Sequence, residues 1–386
     1  MDYQTRRGFL VTAGAVGVAS LAGCVGNGGG QSPDGSAAVD VASTQSTDDS
    51  SGSPSDESTS GTAGADPAVH PPVAADRLPL AHDLGKFRKN VESGGQPKDG
   101  IPSIDDPKFV SPAKGDEFVD PGDVVFGVAG DDEVKAYPQA ILVWHEVVND
   151  ELDGQPVSVT YCPLTGTAMG FDRGNTEFGV SGNLLNNNLV MYDRNTDSWW
   201  PQILGTAIRG DFEARSLREF RVVWTTWEQW KGRYPDTEIL SERTGHARNY
   251  QRDPYGRYNP KRGYYNSTRT LFSTLNDDDR YKPKTVVMGA RVPTGAIAFH
   301  KESLATAGVL DGEIDGVTHS AVYDDRLDTA YVYRNPEGVA LSLDGETATL
   351  NGESHDPDAL PLDRVHAFDA MWFAWAGFYP ETVVVE

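Results

Sequence analysis

Cysteine is nearly absent: two occur in 386 residues, Cys24 and Cys162. A disulfide framework is thereby excluded, and stability has to come from packing. Positive charge is also short, with 33 Lys and Arg against 57 Asp and Glu and a net charge of −24. Phosphate backbones demand the opposite sign, so nucleic acid is excluded as a partner. Such a surface suits a salt-adapted, halophilic protein, in which self-repulsion between acidic groups is screened. In about 1 M salt the screening length is only about 3 Å, so the acidity does not steer a ligand from afar. Long apolar runs are missing too. The run from Val11 to Ala22 is too short for a lasting bilayer span.

What flanks that run explains it. Thr5-Arg6-Arg7-Gly8-Phe9-Leu10 precedes it and Leu21-Ala22-Gly23-Cys24 closes it, the pattern of a twin-arginine signal with a lipobox over residues 1–24. Cleavage before Cys24 and lipidation of its thiol are expected, and a two-chain lipid at about 0.8 kcal/mol per methylene anchors stably. The protein is therefore expected to be extracellular, exported and held on the outer face of the cell membrane through Cys24. Residues 25–77 are mostly Gly, Ser, Thr, Asp and Ala, too poor in apolar groups to offset chain entropy, and read as a disordered tether. Residues 78–386 remain for a single globular domain. Asn266-Ser267-Thr268 is a glycosylation sequon, in keeping with a surface loop outside the cell.

The domain repeats itself. At an offset of 162, Val124-Val125-Phe126-Gly127-Val128 falls on Val286-Val287-Met288-Gly289-Ala290, and "VVNDELDG" (147–154) falls on "VLDGEIDG" (309–316). At an offset of 145, "WEQWKGRYPDT" (227–237) falls on "WFAWAGFYPET" (372–382), aligning two of the 8 tryptophans. Two copies of one supersecondary unit follow, at about 121–240 and 283–386, joined by 241–282. Between Arg173 and Leu217 the first copy carries extra chain, because the offset falls across that interval.

Within a copy, "DVVFGVA" and "EVKAYP" read as a hairpin around Gly130-Asp131-Asp132, and "QAILVWHEVVN" has helical spacing. "PVSVTY", "TAMGFD", "TEFGVSG", "NLVMYD" and "GTAIRG" read as strands, and "TTWEQWKGRYP" as a helix. Strands outnumber helices, so the expected class is α+β: largely antiparallel β with a few short helices, built from two pseudo-symmetric halves.

"HEVVND", "VTYCPLTGTAMGFDR", "FGVSGNL", "LVMYDRNTDSWWPQ" and the closing "WFAWAGFYPET" resemble the domain-of-unknown-function family numbered 3179, found in exported bacterial and archaeal proteins. The resemblance spans about residues 100–386. It implies the fold and the motif positions, and no reaction. In many relatives a second cysteine makes C-P-L-C; here Thr165 stands at that position, which removes one thiol of a dithiol pair.

The candidate chemistry centres on Cys162. Pro163 cannot continue a ladder, so the thiol is expected to emerge at a turn whose amides, with Arg173 or Arg194, would lower its pKa. His145, on the preceding helix, could serve as base or as a nitrogen ligand beside the thiolate. "HEVVN" lacks the second histidine of a zincin helix, "GVSGN" lacks the nucleophile-elbow spacing, and no G-x-G-x-x-G follows a strand. Asp172-Arg173 and Asp193-Arg194 could clamp an anion through a guanidinium fork held by its carboxylate. Ser181, Trp199 and Gln202 complete the expected binding wall. The catalytic set is thus Cys162, His145, Asp172 and Arg173; the binding set is Ser181, Asp193, Arg194, Trp199 and Gln202. The expected function is thiol-dependent redox chemistry or handling of a soft metal, Cu or Zn, on Cys162 and His145 with Met169 nearby. The alternative is a non-catalytic binding lipoprotein for a small anionic or sugar-like ligand.

Overall fold

The runs around Gly130-Asp131-Asp132 fold as the expected hairpin: β1 (Val124–Ala129) pairs antiparallel with β2 (Val134–Pro138) in a computed structural model that describes residues 70–386. Helix α1 (Gln139–His145) follows and stops where Glu146 takes a left-handed φ of 62°. The helical spacing had suggested continuation to Asn149. Instead Val147 opens β3 (Val147–Leu152), which pairs with β4 (Gln155–Cys162). Val147 and Val148 are both fully buried, and a strand covered on both faces loses the alternation that would mark it.

Strands β5 (Thr167–Asp172) and β9 (Glu219–Phe220) complete a sheet ordered β9-β5-β4-β3. Between them come β6 (Phe178–Leu185), β7 (Asn188–Asp193) and β8 (Trp199–Pro201), which join Val91–Ser93 in a separate sheet. Asn186 and Asn187, at φ 54° and 61°, make the tight turn between β6 and β7. The expected strand at Gly205–Gly210 is only two isolated bridges, Thr206 to Ser216 and Trp199 to Arg209. Then β10 (Val223–Thr226) pairs with β1. Helix α2 (Trp227–Arg233) starts on a capping box of Thr226 and Gln229, and β11 (Glu238–Leu240) lies parallel to β2.

The C-terminal elements follow in the same order. They are β12 (Val286–Val292), β13 (Gly295–His300), α3 (Lys301–Ala307), β14 (Val309–Ile314), β15 (Val317–Asp324) and β16 (Thr329–Arg334). A small sheet of β17 (Leu341–Asp344), β18 (Thr347–Leu350) and β19 (Glu353–His355) intervenes. The chain ends with β20 (Asp363–Val365), β21 (Ala367–Met371), α4 (Trp372–Phe378) and β22 (Val383–Val385). The sheets are ordered β21-β12-β13-β22 and β14-β15-β16-β20, and β22 is again parallel to its neighbour. Among the described residues every other strand ladder is antiparallel.

Each closing helix lays a tryptophan on a glycine. A Cβ on Gly127 would stand 2.3 Å from the Trp230 ring, and one on Gly289 would stand 2.2 Å from Trp375. Both indoles donate at 3.0 Å, Trp230 to Thr237 Oγ1 and Trp375 to Thr382 Oγ1. Near the start, Val73 bridges Leu217, and Ala74 N donates to Ser216 O at 2.8 Å. The body therefore begins before residue 77, where the tether was expected to end. The twin-arginine signal, Cys24 and tether residues 25–69 lie outside the described residues.

Candidate functional site

Cys162 ends β4, and Pro163 to Gly166 turn the chain as expected, with Gly166 at φ 58°. The sulfur does not emerge. Cys162, Leu164 and Thr165 are all 0% exposed, because the turn is itself covered. Tyr264 Oη donates to Leu164 O at 2.7 Å, and Met371 N donates to Thr165 O at 3.0 Å. Cys162 Sγ lies 3.5 Å from Asn187 O. Asn187 in turn accepts from Phe272 N at 2.9 Å and donates to Phe272 O at 3.1 Å. Gln202, expected to meet ligand, is interior: Nε2 donates to Thr160 Oγ1 at 2.8 Å, and Oε1 accepts from Asn188 Nδ2 at 2.9 Å. The cysteine motif thus fastens the joining segment and β21 to the N-terminal elements. A maleimide applied to the native Cys24→Ser chain should label Cys162 roughly a hundredfold more slowly than after denaturation, since only opening exposes it. Equal rates would contradict the burial.

His145 is also 0% exposed. Its Nδ1 donates to Pro102 O at 2.8 Å, so Nε2 accepts from Tyr250 Oη, also at 2.8 Å. Burial lowers its pKa to about 4, holding the ring neutral near pH 7. Both nitrogens are committed, and neither serves the sulfur. Among the described residues no three His, Cys, Asp or Glu side chains converge to hold a metal. Met169 is sealed in β5. These residues do not fit the expected Cu or Zn.

The two Asp-Arg pairs serve the fold. Arg173 donates to Asp150 O, Val157 O and Thr176 O at 3.0–3.3 Å, stapling loop to sheet. Asp172, half-buried, has its pKa raised by burial. Asp193 accepts from Thr196 N at 2.7 Å and from Trp200 Nε1 at 3.0 Å, so it shapes its own turn. Arg194 is taken by Asp105 at 2.9 Å, by Glu177, and by Ser103 Oγ at 2.9 Å. Ser181 Oγ donates to Val190 O at 2.5 Å beside a register shift between β6 and β7. Trp199, half-buried, has the Arg209 guanidinium 4.7 Å over its ring.

A cleft with a volume of about 740 Å³ lies outside these residues. On one side stand Val124 and Trp224 from β1 and β10; on the other stand Val286 and Asp369 from β12 and β21. Segments 258–268 and 282–285, the start of α3 and Asp328 supply more of the wall. Four of the chain's 11 lysines line it: Lys261, Lys282, Lys284 and Lys301. Lys301 Nζ sits 3.2 Å from Asp369 and 3.8 Å from Asp328. Burial raises the Asp369 pKa. Lys284 Nζ lies 3.2 Å over the Tyr264 ring and donates to Tyr264 O and, at 2.9 Å, to Arg269 O. Burial lowers its pKa to about 7. Tyr258 packs its ring 4.6 Å from Trp224, giving the cleft an aromatic face. The sequon Asn266 is exposed on this rim. Sequence reasoning missed the cleft. The available signal was that four of so few lysines fall within residues 261–301.

The class defined here is a mostly antiparallel β protein with short helices and a lysine-lined cleft that the cysteine motif does not line. The chain belongs to the family described as Protein of unknown function (DUF3179), whose model matches residues 98–382. No curated protein and no solved structure matches it.

Proposed function

We propose that the protein is an exported, lipid-anchored binding protein, built by duplication, that takes a small anionic or sugar-like ligand in the lysine-lined cleft. Duplication is supported by the matching order of elements, by the parallel closing strands β11 and β22, and by the paired Trp-on-Gly contacts. The packing is reciprocal as well: β5 meets β21, and β10 meets β16. By the repeat alignment Val124 corresponds to Val286 and Trp224 to Asp369, and all four line the cleft. A pseudo-twofold axis therefore passes through it, with an indole from one copy opposite a carboxylate from the other.

The ligand assignment rests on one observation: four lysines, against the three carboxylates of Glu302, Asp328 and Asp369, gather at a single cleft in a chain of net charge −24. Water-screened surface charge needs no such gathering, whereas an anion inside a partly enclosed space gains strong charge-assisted hydrogen bonds. The Trp224 and Tyr258 rings supply the flat apolar face on which a sugar stacks. The burial of Cys162 argues against the thiol reading.

Calorimetry on the full chain tests this with glucuronate, glucose 6-phosphate and uncharged glucose. The charged sugars should bind and glucose should bind far more weakly. Lys261→Ala, an exposed rim change, should weaken the charged sugars about tenfold, the loss of one charge-assisted contact. No binding by either charged sugar, or indifference to Lys261→Ala, would sink the proposal.

A further inference from the structure

A second cleft of about 270 Å³ lies where β9 and β20, edge strands of the two meander sheets, approach each other. Glu219 and Arg221 line it from the N-terminal side, and Arg364 and His366 from the C-terminal side. It shares no lining residue with the lysine cleft. At the offset of 145, Glu219 corresponds to Arg364 and Arg221 to His366, so equivalent positions face one another with different charge.

The charges there do not balance. Arg291, 4% exposed and behind the cleft wall, joins Glu219 through Nη2 at 2.5 Å. At the cleft, Arg221 gives its Nη groups to Ala367 O, Thr329 Oγ1 and Ala330 O, but its Nε and His366 Nε2 are buried and unpartnered. Glu219 is the one carboxylate lining the cleft; its other oxygen is 3.8 Å from His366 Nε2. The charge of Asp369 also reaches Arg221, but that carboxylate is already held by Lys301 at 3.2 Å. Guanidiniums stay charged at any pH the fold meets, and with Glu219 already paired to Arg291 the charges of Arg221 and Arg364 at the cleft are left without a carboxylate of their own. Buried donors in native proteins are satisfied, and two orphans at one place indicate an acceptor group that belongs there. Neutral His366 can donate from Nε2 to such an acceptor, and its ring is held neutral by burial and by Arg291 and Arg221.

We propose that this cleft binds a small oxyanion, a phosphate, sulfate or carboxylate group, between Arg221, Arg364 and His366. An oxyanion supplies several acceptor lone pairs and the missing negative charge together, and guanidinium forks match its geometry. The site pins β9 to β20 and so couples its occupancy to the seam between the two meander sheets. It stands independently of the lysine-lined cleft.

The test uses the full chain with inorganic phosphate and with sodium acetate, against sodium chloride at matched ionic strength. Phosphate should raise the unfolding midpoint beyond chloride, and equilibrium dialysis should show saturable uptake. Arg364 is exposed, so Arg364→Ala should fold normally yet weaken phosphate about tenfold, with Arg364→Lys intermediate and Lys114→Ala, at an exposed lysine outside both clefts, unchanged. Acetate acting like phosphate extends the site to carboxylates; acetate acting like chloride restricts it to tetrahedral anions, and both outcomes support it. A midpoint that follows ionic strength alone overturns the proposal, because ordered water then fills the cleft. Phosphate binding that is weakened by Lys261→Ala and untouched by Arg364→Ala also overturns it, while supporting anion binding in the lysine cleft.

Discussion

Glu219→Ala should destabilise the protein by about 3–5 kcal/mol in denaturant unfolding, whereas Glu219→Leu combined with Arg291→Met should cost far less than that single change. The pair is sealed: Glu219 and Arg291 side chains are 6% and 1% exposed, with 2.5 Å between Oε1 and Nη2. Burial holds the Glu219 carboxyl above its ordinary value, and the neighbouring guanidinium only partly offsets this. Desolvation thus outweighs the attraction, so the pair contributes little net stability while intact. Removing one partner is different, since Arg291 would keep its charge in the interior with nothing opposite. Replacing both by apolar groups of similar volume removes the buried charges altogether. Phosphate should recover part of the Glu219→Ala loss if the neighbouring cleft takes an oxyanion. If the single change proves as mild as the double, Arg291 must be wetter than its burial implies.

Much of the scaffold was legible in the sequence because local rules and packing agree there. The hairpin around Gly130-Asp131-Asp132 and the helices opening at Trp227 and Trp372 follow from alternation, turn residues and three-residue aromatic spacing. The end of α1 was not legible. Glu146 adopts the left-handed φ that Gly308 takes at the aligned position, and a glutamate gives no warning of such a stop. The candidate site misled for a related reason. Cys162, His145, Asp193, Arg194 and Gln202 form long motifs of polar residues, and sequence alone cannot separate polar groups that meet a ligand from those that meet one another. Here each meets other groups of the protein, within sheets, between them and in the joining segment. Conversely, the cleft draws on β1, β10, β12, β21 and the joining segment, whose residues are distant in the chain. No local pattern marks such a convergence; only the clustering of scarce lysines hinted at it.

Trp375→Ala should cost about 3–5 kcal/mol, the usual toll for deleting a buried aromatic, and Gly289→Ala in the same background should return part of it. Trp375 is 0% exposed, lies against Gly289 and Phe368, and donates its indole N-H to Thr382. Truncation opens a cavity between α4 and β12 and strands the Thr382 hydroxyl from its donor. In the wild-type chain a methyl at Gly289 would stand 2.2 Å from the indole, and because α4 cannot retreat without disturbing β22, Gly289→Ala alone should cost about 1–3 kcal/mol. With the indole gone, the same methyl fills empty space. The two changes must therefore couple, and a double-mutant cycle should give an interaction above about 1 kcal/mol in the favourable direction. The Trp230 and Gly127 pair has the same geometry, at 2.3 Å, and should couple with the same sign. Additive losses at both places would mean that the tryptophans do not select their glycines. The strongest physical reason for the repeated Gly and Trp positions would then be gone, since a ring pressed flat on a strand is what excludes every side chain beneath it.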